Sequence, residues 1–345
     1  MIRELPTGHV PEPRALAQML ARYHEPSAAR GVLELAITVI PLALILFLMW
    51  VALDVGYWIC LLLAVPAAGF VVRLFMIQHD CSHGAFFRRR AANDWVGRVI
   101  GVVTLTPYDF WRRTHALHHA RSGNLDGRGI GDIDVLTVAE FRALSRWGRR
   151  LYRLFRHPIV MFGVGPAYLF ILHHRLPMGM LRNGWQPWLS TMATNGAIAL
   201  LAGTVIWQIG IGPFLRMTLP IALLAMSAGV WLFYIQHQFA DTYWRRQERW
   251  DFHDAALHGS SYYDLPGVLR WFTANIGVHH VHHLCSRIPS YRLHHVLRDH
   301  PQLAAVGRLT LRQSLDCVPR VLWDESRRRL VTFRELESVT PGDAR

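Results

Sequence analysis

Cysteine is scarce in this 345-residue chain, and Cys60, Cys81, Cys285 and Cys317 lie far apart with no CxxC pair, which argues against a disulfide framework or a thiolate metal site. There is no GxGxxG or other nucleotide fingerprint, no HExxH peptidase motif, and no cytochrome-like histidine pair before the first apolar run or after His300. The first thirty residues are polar, with four prolines and no apolar core, so no cleavable signal peptide is expected and the N-terminus should stay where it is made. Acidic residues are in the minority, 24 against 37 basic ones, for a formal charge of +13 carried by arginine. These arginines sit in loops and tails beside apolar runs. Anionic headgroups and the positive-inside bias account for them there, so no nucleic-acid partner is expected.

Apolar residues, by contrast, are abundant, at 52 %. One run extends from about Leu33 to Val51 and a second from about Tyr57 to Ile77, joined by a short link near Asp54. A third covers about Leu189 to Ile209 and a fourth about Phe214 to Ile235. At about 1.5 Å per helical residue each is long enough for a hydrocarbon core of roughly 30 Å. The pattern predicts an all-α integral membrane protein with two helical hairpins, or four spans, and a polar cap. The expected layout is an N-terminal segment over 1–32, a membrane domain over 33–300 and a C-terminal tail over 301–345.

Three histidine clusters follow these runs: His79-Asp-Cys-Ser-His83, His115-Ala-Leu-His118-His119 and His279-His280-Val-His282-His283. Residues three and four apart share a helix face, so each cluster can aim its rings at one point. One metal rarely uses more than three or four protein nitrogens, so this many imidazoles imply two metals or many bystanders. Imidazole alone does not choose among Fe, Zn, Cu and Ni. Within the third cluster, spacing does not choose either, because His280 and His283 are also three apart.

If the clusters form one site, an even number of spans separates the second from the third. The shorter apolar stretches Trp95 to Pro107 and Pro158 to His173 should then lie along the interface. The Arg121 to Arg156 segment, with Arg245, Arg246 and Arg249, falls on the histidine side, whereas the links at Asp54 and Gly210 to Gly212 carry no basic residue. The positive-inside rule puts both termini and every cluster in the cytosol, with the protein integral to the cytoplasmic membrane.

HDCSH, HALHH and HHVHH, placed after two paired apolar runs and after two more, resemble the three histidine boxes of the membrane fatty-acid desaturase superfamily. The stretches QHDCSHGAFF, RRTHALHHARSGNLDGRGIGDIDVLTVAEF and GSSYYDLPGVLRWFTANIGVHHVHHLCSRIPSYRL are similar to bacterial acyl-lipid desaturases of the delta-12 and delta-5 kinds. The likeness runs from about residue 33 to 300. It implies a non-haem di-iron enzyme that uses O2 to introduce a double bond into an acyl chain, with hydroxylases and carotenoid ketolases sharing the same boxes. The metal ligands it implies are His79, His83, His115, His118, His119, His279, His282 and His283, leaving His280 outside the pattern. One more ligand is expected at the end of the fourth span, where His237 stands. Acyl-CoA relatives carry a water-binding Asn one turn before that histidine, but this chain has Phe233, and Asn275 is the nearest substitute. Asp80, Asp126 and Asp132 are the acidic residues placed to orient ligand rings.

No side chain acting as a base removes hydrogen from an unactivated CH2, so redox metal and O2 are required. The expected partners are a lipid acyl substrate in the bilayer and a separate electron donor such as ferredoxin with its reductase. Aromatic residues near the boxes, among them Phe86, Tyr108, Phe110, Trp111, Tyr263, Trp271 and Phe272, are candidates for tunnel wall or interfacial anchors.

Overall fold

A backbone passing through lipid must satisfy its N–H and C=O groups internally, and long apolar runs do so as helices. The computed structural model describes residues 12–129 and 131–338. Residues 1–11 and 339–345, with the two termini expected in the cytosol, lie outside the described residues.

Chain order begins with the short helix α1 (Pro13–Leu20) and the long α2 (Ala28–Val55), whose first turn is capped by the Ser27 hydroxyl accepting from Arg30 N. Then come α3 (Tyr57–Ser82), α4 (Arg90–Val103), α5 (Tyr108–Arg121), the two-residue strand β1 (Leu136–Thr137), α6 (Val138–Ala143) and α7 (Arg146–Phe155). A segment of mixed helical winding, α8 (Val160–Arg175), is bent by 59° from α7. The second long pair is α9 (Trp185–Ile209) and α10 (Ile211–His237).

Four helices, α2, α3, α9 and α10, are long and apolar enough to cross a membrane, with 28, 26, 25 and 27 residues. Each outruns the apolar stretch that marks it. Apolar sequence reports only the part facing lipid, and the helix continues wherever protein satisfies its polar side chains. That excess carries His79 and His237 to the last turns of α3 and α10. α3 is the central helix, buried along much of its length, whereas only Pro187 and Thr191 are buried on α9. Leu44, Phe47, Leu62, Leu200 and Trp207 form part of an exposed apolar belt of the kind that only lipid can cover.

The first pair is joined across its interior by charge. Arg73 on α3 is bound to Glu34 on α2, donates through Nε to Thr38 Oγ1 at 3.1 Å, and donates to the carbonyl of Trp271; both charged residues are buried.

At 14 residues, about 21 Å, α4 is too short to span. The cap continues with α11 (Phe252–His258), β2 (Tyr262–Asp264), α12 (Gly267–Phe272), α13 (His279–Leu284), α14 (Ser290–Asp299), β3 (Arg308–Thr310), β4 (Arg320–Asp324) and β5 (Arg329–Thr332). β2 pairs in parallel with β3, Tyr262 opposite Arg308, while β4 lies between β1, to which it is parallel, and antiparallel β5. Residues 301–338, part of the expected C-terminal tail, fold onto the cap, where Trp323 is buried in a cluster with Leu125, Val135, Trp244 and Leu330.

Candidate metal centre

His79 ends α3 and His83 follows one turn later as its C-terminal cap. Gln78 fixes this end against the α4–α5 link, accepting from the Thr104 hydroxyl at 2.6 Å, and Tyr108 OH donates to the Cys81 carbonyl at 2.9 Å. α5 thus starts beside the first cluster and carries His115, His118 and His119 along one side. The third cluster forms α13, which is brought in by a close backbone approach: Tyr263 N donates to Gly277 O at 2.7 Å, and a Cβ at Gly277 would stand 2.3 Å from the Tyr263 carbonyl oxygen.

The nine rings collect into two adjacent groups. His79, His83, His115, His119 and His282 form one, and His118, His237, His279 and His283 the other, with one ring nitrogen from each residue within 4.8 Å of the others in its group. Helix periodicity explains the division of α5, because His115 and His119 stand four apart on one line while His118 is rotated toward the second group. Where the groups meet, the His119 and His283 rings stack at 4.1 Å between centroids.

The Nε2 atoms face one another rather than other partners. His115 Nε2 lies 3.1 Å from both His83 Nε2 and His119 Nε2, and His119 Nε2 is 3.2 Å from His282 Nε2. His237 Nε2 is likewise 3.2 Å from His118 Nε2 and 3.0 Å from His279 Nε2. A ring nitrogen is either one donor or one acceptor, so hydrogen bonding does not account for a nitrogen that faces two others. Cations do: ligands about 2.1 Å from a common metal are roughly 3.0 Å apart at right angles and 3.4 Å at tetrahedral angles. Burial, reinforced by the neighbouring rings, holds His83, His115, His119, His279, His282 and His283 well below the ordinary histidine range, in the neutral form that binds metal.

Of the four residues expected to orient rings, one does so directly. Asp132 is bound to His118 Nδ1. Asp80 lies 3.5 Å from His79 Nδ1, too far for a hydrogen bond, and instead accepts from Ser290 N at 2.7 Å. Asn275 has φ +60, precedes α13 as a turn residue, and donates to Ser290 O at 3.1 Å, so both residues position the cap backbone. Asp126 faces Arg246 at 2.9 Å and Gln247 N at 2.8 Å and contacts no histidine. The ring of His237 is oriented by the Gly259 carbonyl, 3.1 Å from Nδ1; a backbone acceptor leaves no mark in sequence. His280 lies outside both groups, its Nε2 3.0 Å from the Leu303 carbonyl.

Because all nine rings meet, an even number of crossings separates α5 from α13. α9 and α10 are long and apolar enough to supply two, and α7 with α8, bent by 59° at their break, has the length and composition of a broken span or a re-entrant segment.

A cavity of about 570 Å³ opens beside the rings, reaching His79, His115 and His279 and running between α3, α8 and α10. Its wall is largely apolar, with Val71, Phe75, Phe110, Trp111, Met226 and Phe233. Trp111 also stacks on His115 at 4.5 Å. The other candidate aromatics serve packing: Tyr108 and Phe86 are buried in the core, and Trp271 and Phe272 pack on Phe70.

Fold and site together define a helical protein of the histidine-box class, with four candidate membrane spans and two imidazole groups that could each hold a metal ion at the end of an apolar cavity. Residues 55–314 match the family model described as fatty acid desaturase, and the chain belongs to that family. It is 41 % identical over 326 residues to a fatty acid desaturase of Bacillus subtilis, covering 94 % of this chain and 92 % of that one. It is 29 % identical to an sn-1 acyl-lipid omega-3 desaturase (ferredoxin) of Synechocystis, with 64 % and 61 % covered, and 26 % identical to an sn-1 oleoyl-lipid 12-desaturase of the same genus, with 72 % and 68 % covered.

Proposed function

We propose that this protein is an O2-dependent desaturase of acyl chains in membrane glycerolipids, using two iron ions held by the nine histidines. The observation that carries the reading is the meeting of five and four imidazoles at the end of an apolar cavity. His79, His83, His115, His119 and His282 would hold one ion, and His118, His237, His279 and His283 the other. With O2, two electrons and two protons, a bound iron pair supplies the oxidising power to take one hydrogen from each of two neighbouring carbons, leaving an alkene and two waters.

The chain's own contribution is placement. The cavity excludes water and lays an extended acyl chain against His79, His115 and His279, and Asp132 and the Gly259 carbonyl hold the His118 and His237 rings in fixed orientation. Acyl lipid as substrate is supported by the names of the Synechocystis relatives, and ferredoxin as donor by the name of one of them; a separate reductase would then reduce the ferredoxin. The distribution of arginine about the spans supports a cytosolic side for the centre, and with it a place in the cytoplasmic membrane.

The test is mass analysis of membrane lipids from a desaturase-deficient host expressing this chain with a compatible donor. Species two mass units lighter support the reading. Species sixteen units heavier, with no loss of hydrogen, would replace it with hydroxylation.

A further inference from the structure

Helix α7 carries a surface that neither the metal centre nor the cavity uses. Its sequence RWGRRLYRLF sets Trp147, Leu151, Leu154 and Phe155 on one side, and all four are exposed, Trp147 at 71 %. Arg146, Arg149 and Arg150 occupy the adjoining side, with Arg142 close by at the end of α6. Among the described residues none of these four arginines has a carboxylate partner. The remaining side fastens the helix to the cap: Tyr152 is buried against Phe141, its hydroxyl donating to Val321 O at 2.6 Å and accepting from Leu136 N at 3.1 Å.

The exposed side does not end with α7. Beyond the bend Ile159, Val164 and Tyr168, on and before α8, are exposed as well, as are apolar residues along the spans. An acidic soluble protein would match the arginines and leave these apolar side chains in water. An anionic bilayer surface matches both.

We propose that α7 lies in the plane of the bilayer on the histidine side and binds the phosphates of anionic phospholipids. Trp147, Leu151, Leu154 and Phe155 enter the acyl boundary, while the arginines extend along it to the headgroups. The inference rests on the membrane-embedded reading and not on the reaction. Its structural consequence is local: Tyr152 holds Leu136, four residues from the Asp132 that orients His118, so the bilayer surface supports the side of the cap nearest the centre.

The full chain is reconstituted in phosphatidylcholine vesicles containing a minor fraction of phosphatidylglycerol, extracted in mild detergent, and its retained lipid measured. A nitroxide at Leu151→Cys is read in parallel, since the four native cysteines are buried. Phosphatidylglycerol should be enriched several-fold over its bulk fraction, and less so as salt rises. Each arginine near such a surface is worth about five-fold in partitioning, so R142Q/R146Q/R149Q/R150Q should abolish the enrichment. The nitroxide should meet membrane-dissolved oxygen and be shielded from an aqueous relaxant. Unchanged retention in the quadruple variant, no enrichment in the parent chain, or a water-exposed nitroxide overturns the proposal. So does a nitroxide shielded only when an acidic soluble protein is added. Should the variant fail to fold, salt dependence and label depth on the chain with all its arginines still decide. Neither lipid retention nor label depth needs turnover, so failure here and failure of desaturation are separate results.

Discussion

Each ring in the centre has a second nitrogen whose partner decides how firmly the ring is held. His118 has a carboxylate there, His237 a carbonyl, and the Nδ1 atoms of His79, His279 and His282 are buried without a protein partner. The best-oriented rings should therefore be the most sensitive to loss of their support. Asp132→Asn keeps the shape but weakens the acceptor, and metal-ligand supports of this kind are worth about 10–100-fold in affinity or activity. Iron titration of the purified protein should show a fall in that range, with helical content by circular dichroism unchanged; undiminished affinity would mean that Asp132 serves the loop alone. His118→Ala should abolish turnover and lower bound iron, whereas His280→Ala should retain both, since His280 leaves the cluster for Leu303 O. Measured iron per chain separates the two, and loss of iron in His280→Ala would assign the third cluster one residue differently. The three histidine clusters are legible in the sequence, because residues three and four apart share a helix face, but spacing does not choose between His280 and its neighbours, and His237, a lone histidine, is reached only through the family resemblance. The supporting groups are less so, because Asp80, Asp126 and Asp132 look alike in sequence and differ only in what stands opposite them.

The helices place these residues, and their centres are readable in sequence where their ends are not. Long apolar runs identify α2, α3, α9 and α10, but the terminal turns that carry His79 and His237 consist of polar residues satisfied by protein rather than lipid. The cavity is hidden for a similar reason: it lies between α3, α8 and α10, and no single stretch records the distance between helices. Gly229 on α10 borders it, and a Cβ there would meet no atom within 4 Å. Gly229→Phe has room for its Cβ, and its ring would enter space an acyl chain would use. Expected is full iron content with turnover reduced at least ten-fold on long chains and least affected on short ones, measured by lipid mass analysis across acyl lengths. Equal loss at every length would place Gly229 outside the acyl path.

At the scale of the molecule, two assemblies have to stay in register: a membrane hairpin and a cap whose segments come from distant parts of the chain. The C-terminal residues join the cap through short strands and the buried Trp323, contacts with too few residues to give a periodic signal, which is why they read as a tail. The hairpin and cap meet at a buried charge. Arg73 on α3 binds Glu34 on α2 and the carbonyl of Trp271, and Asp80 on the same helix holds Ser290 N, so α3 touches the cap on both sides of the third cluster. Arg73 is visible as a charge near the end of an apolar run, but Glu34 gives no sign of being its partner thirty-nine residues away. Removing one member of a buried pair leaves the other uncompensated, at a cost of about 3–5 kcal/mol, whereas replacing both with apolar residues of similar volume is often neutral. Glu34→Leu should lower the thermal midpoint in detergent and loosen the cap, so that iron is lost on heating before the spans unfold. Glu34→Leu with Arg73→Met should recover much of the midpoint, but the Trp271 carbonyl would still lack its donor, and iron retention should recover less than the midpoint does. Parallel recovery of both would assign the pair to hairpin stability alone; a midpoint unmoved by Glu34→Leu would show that Arg30, 2.7 Å from Glu34 and half exposed, already draws that carboxylate toward water.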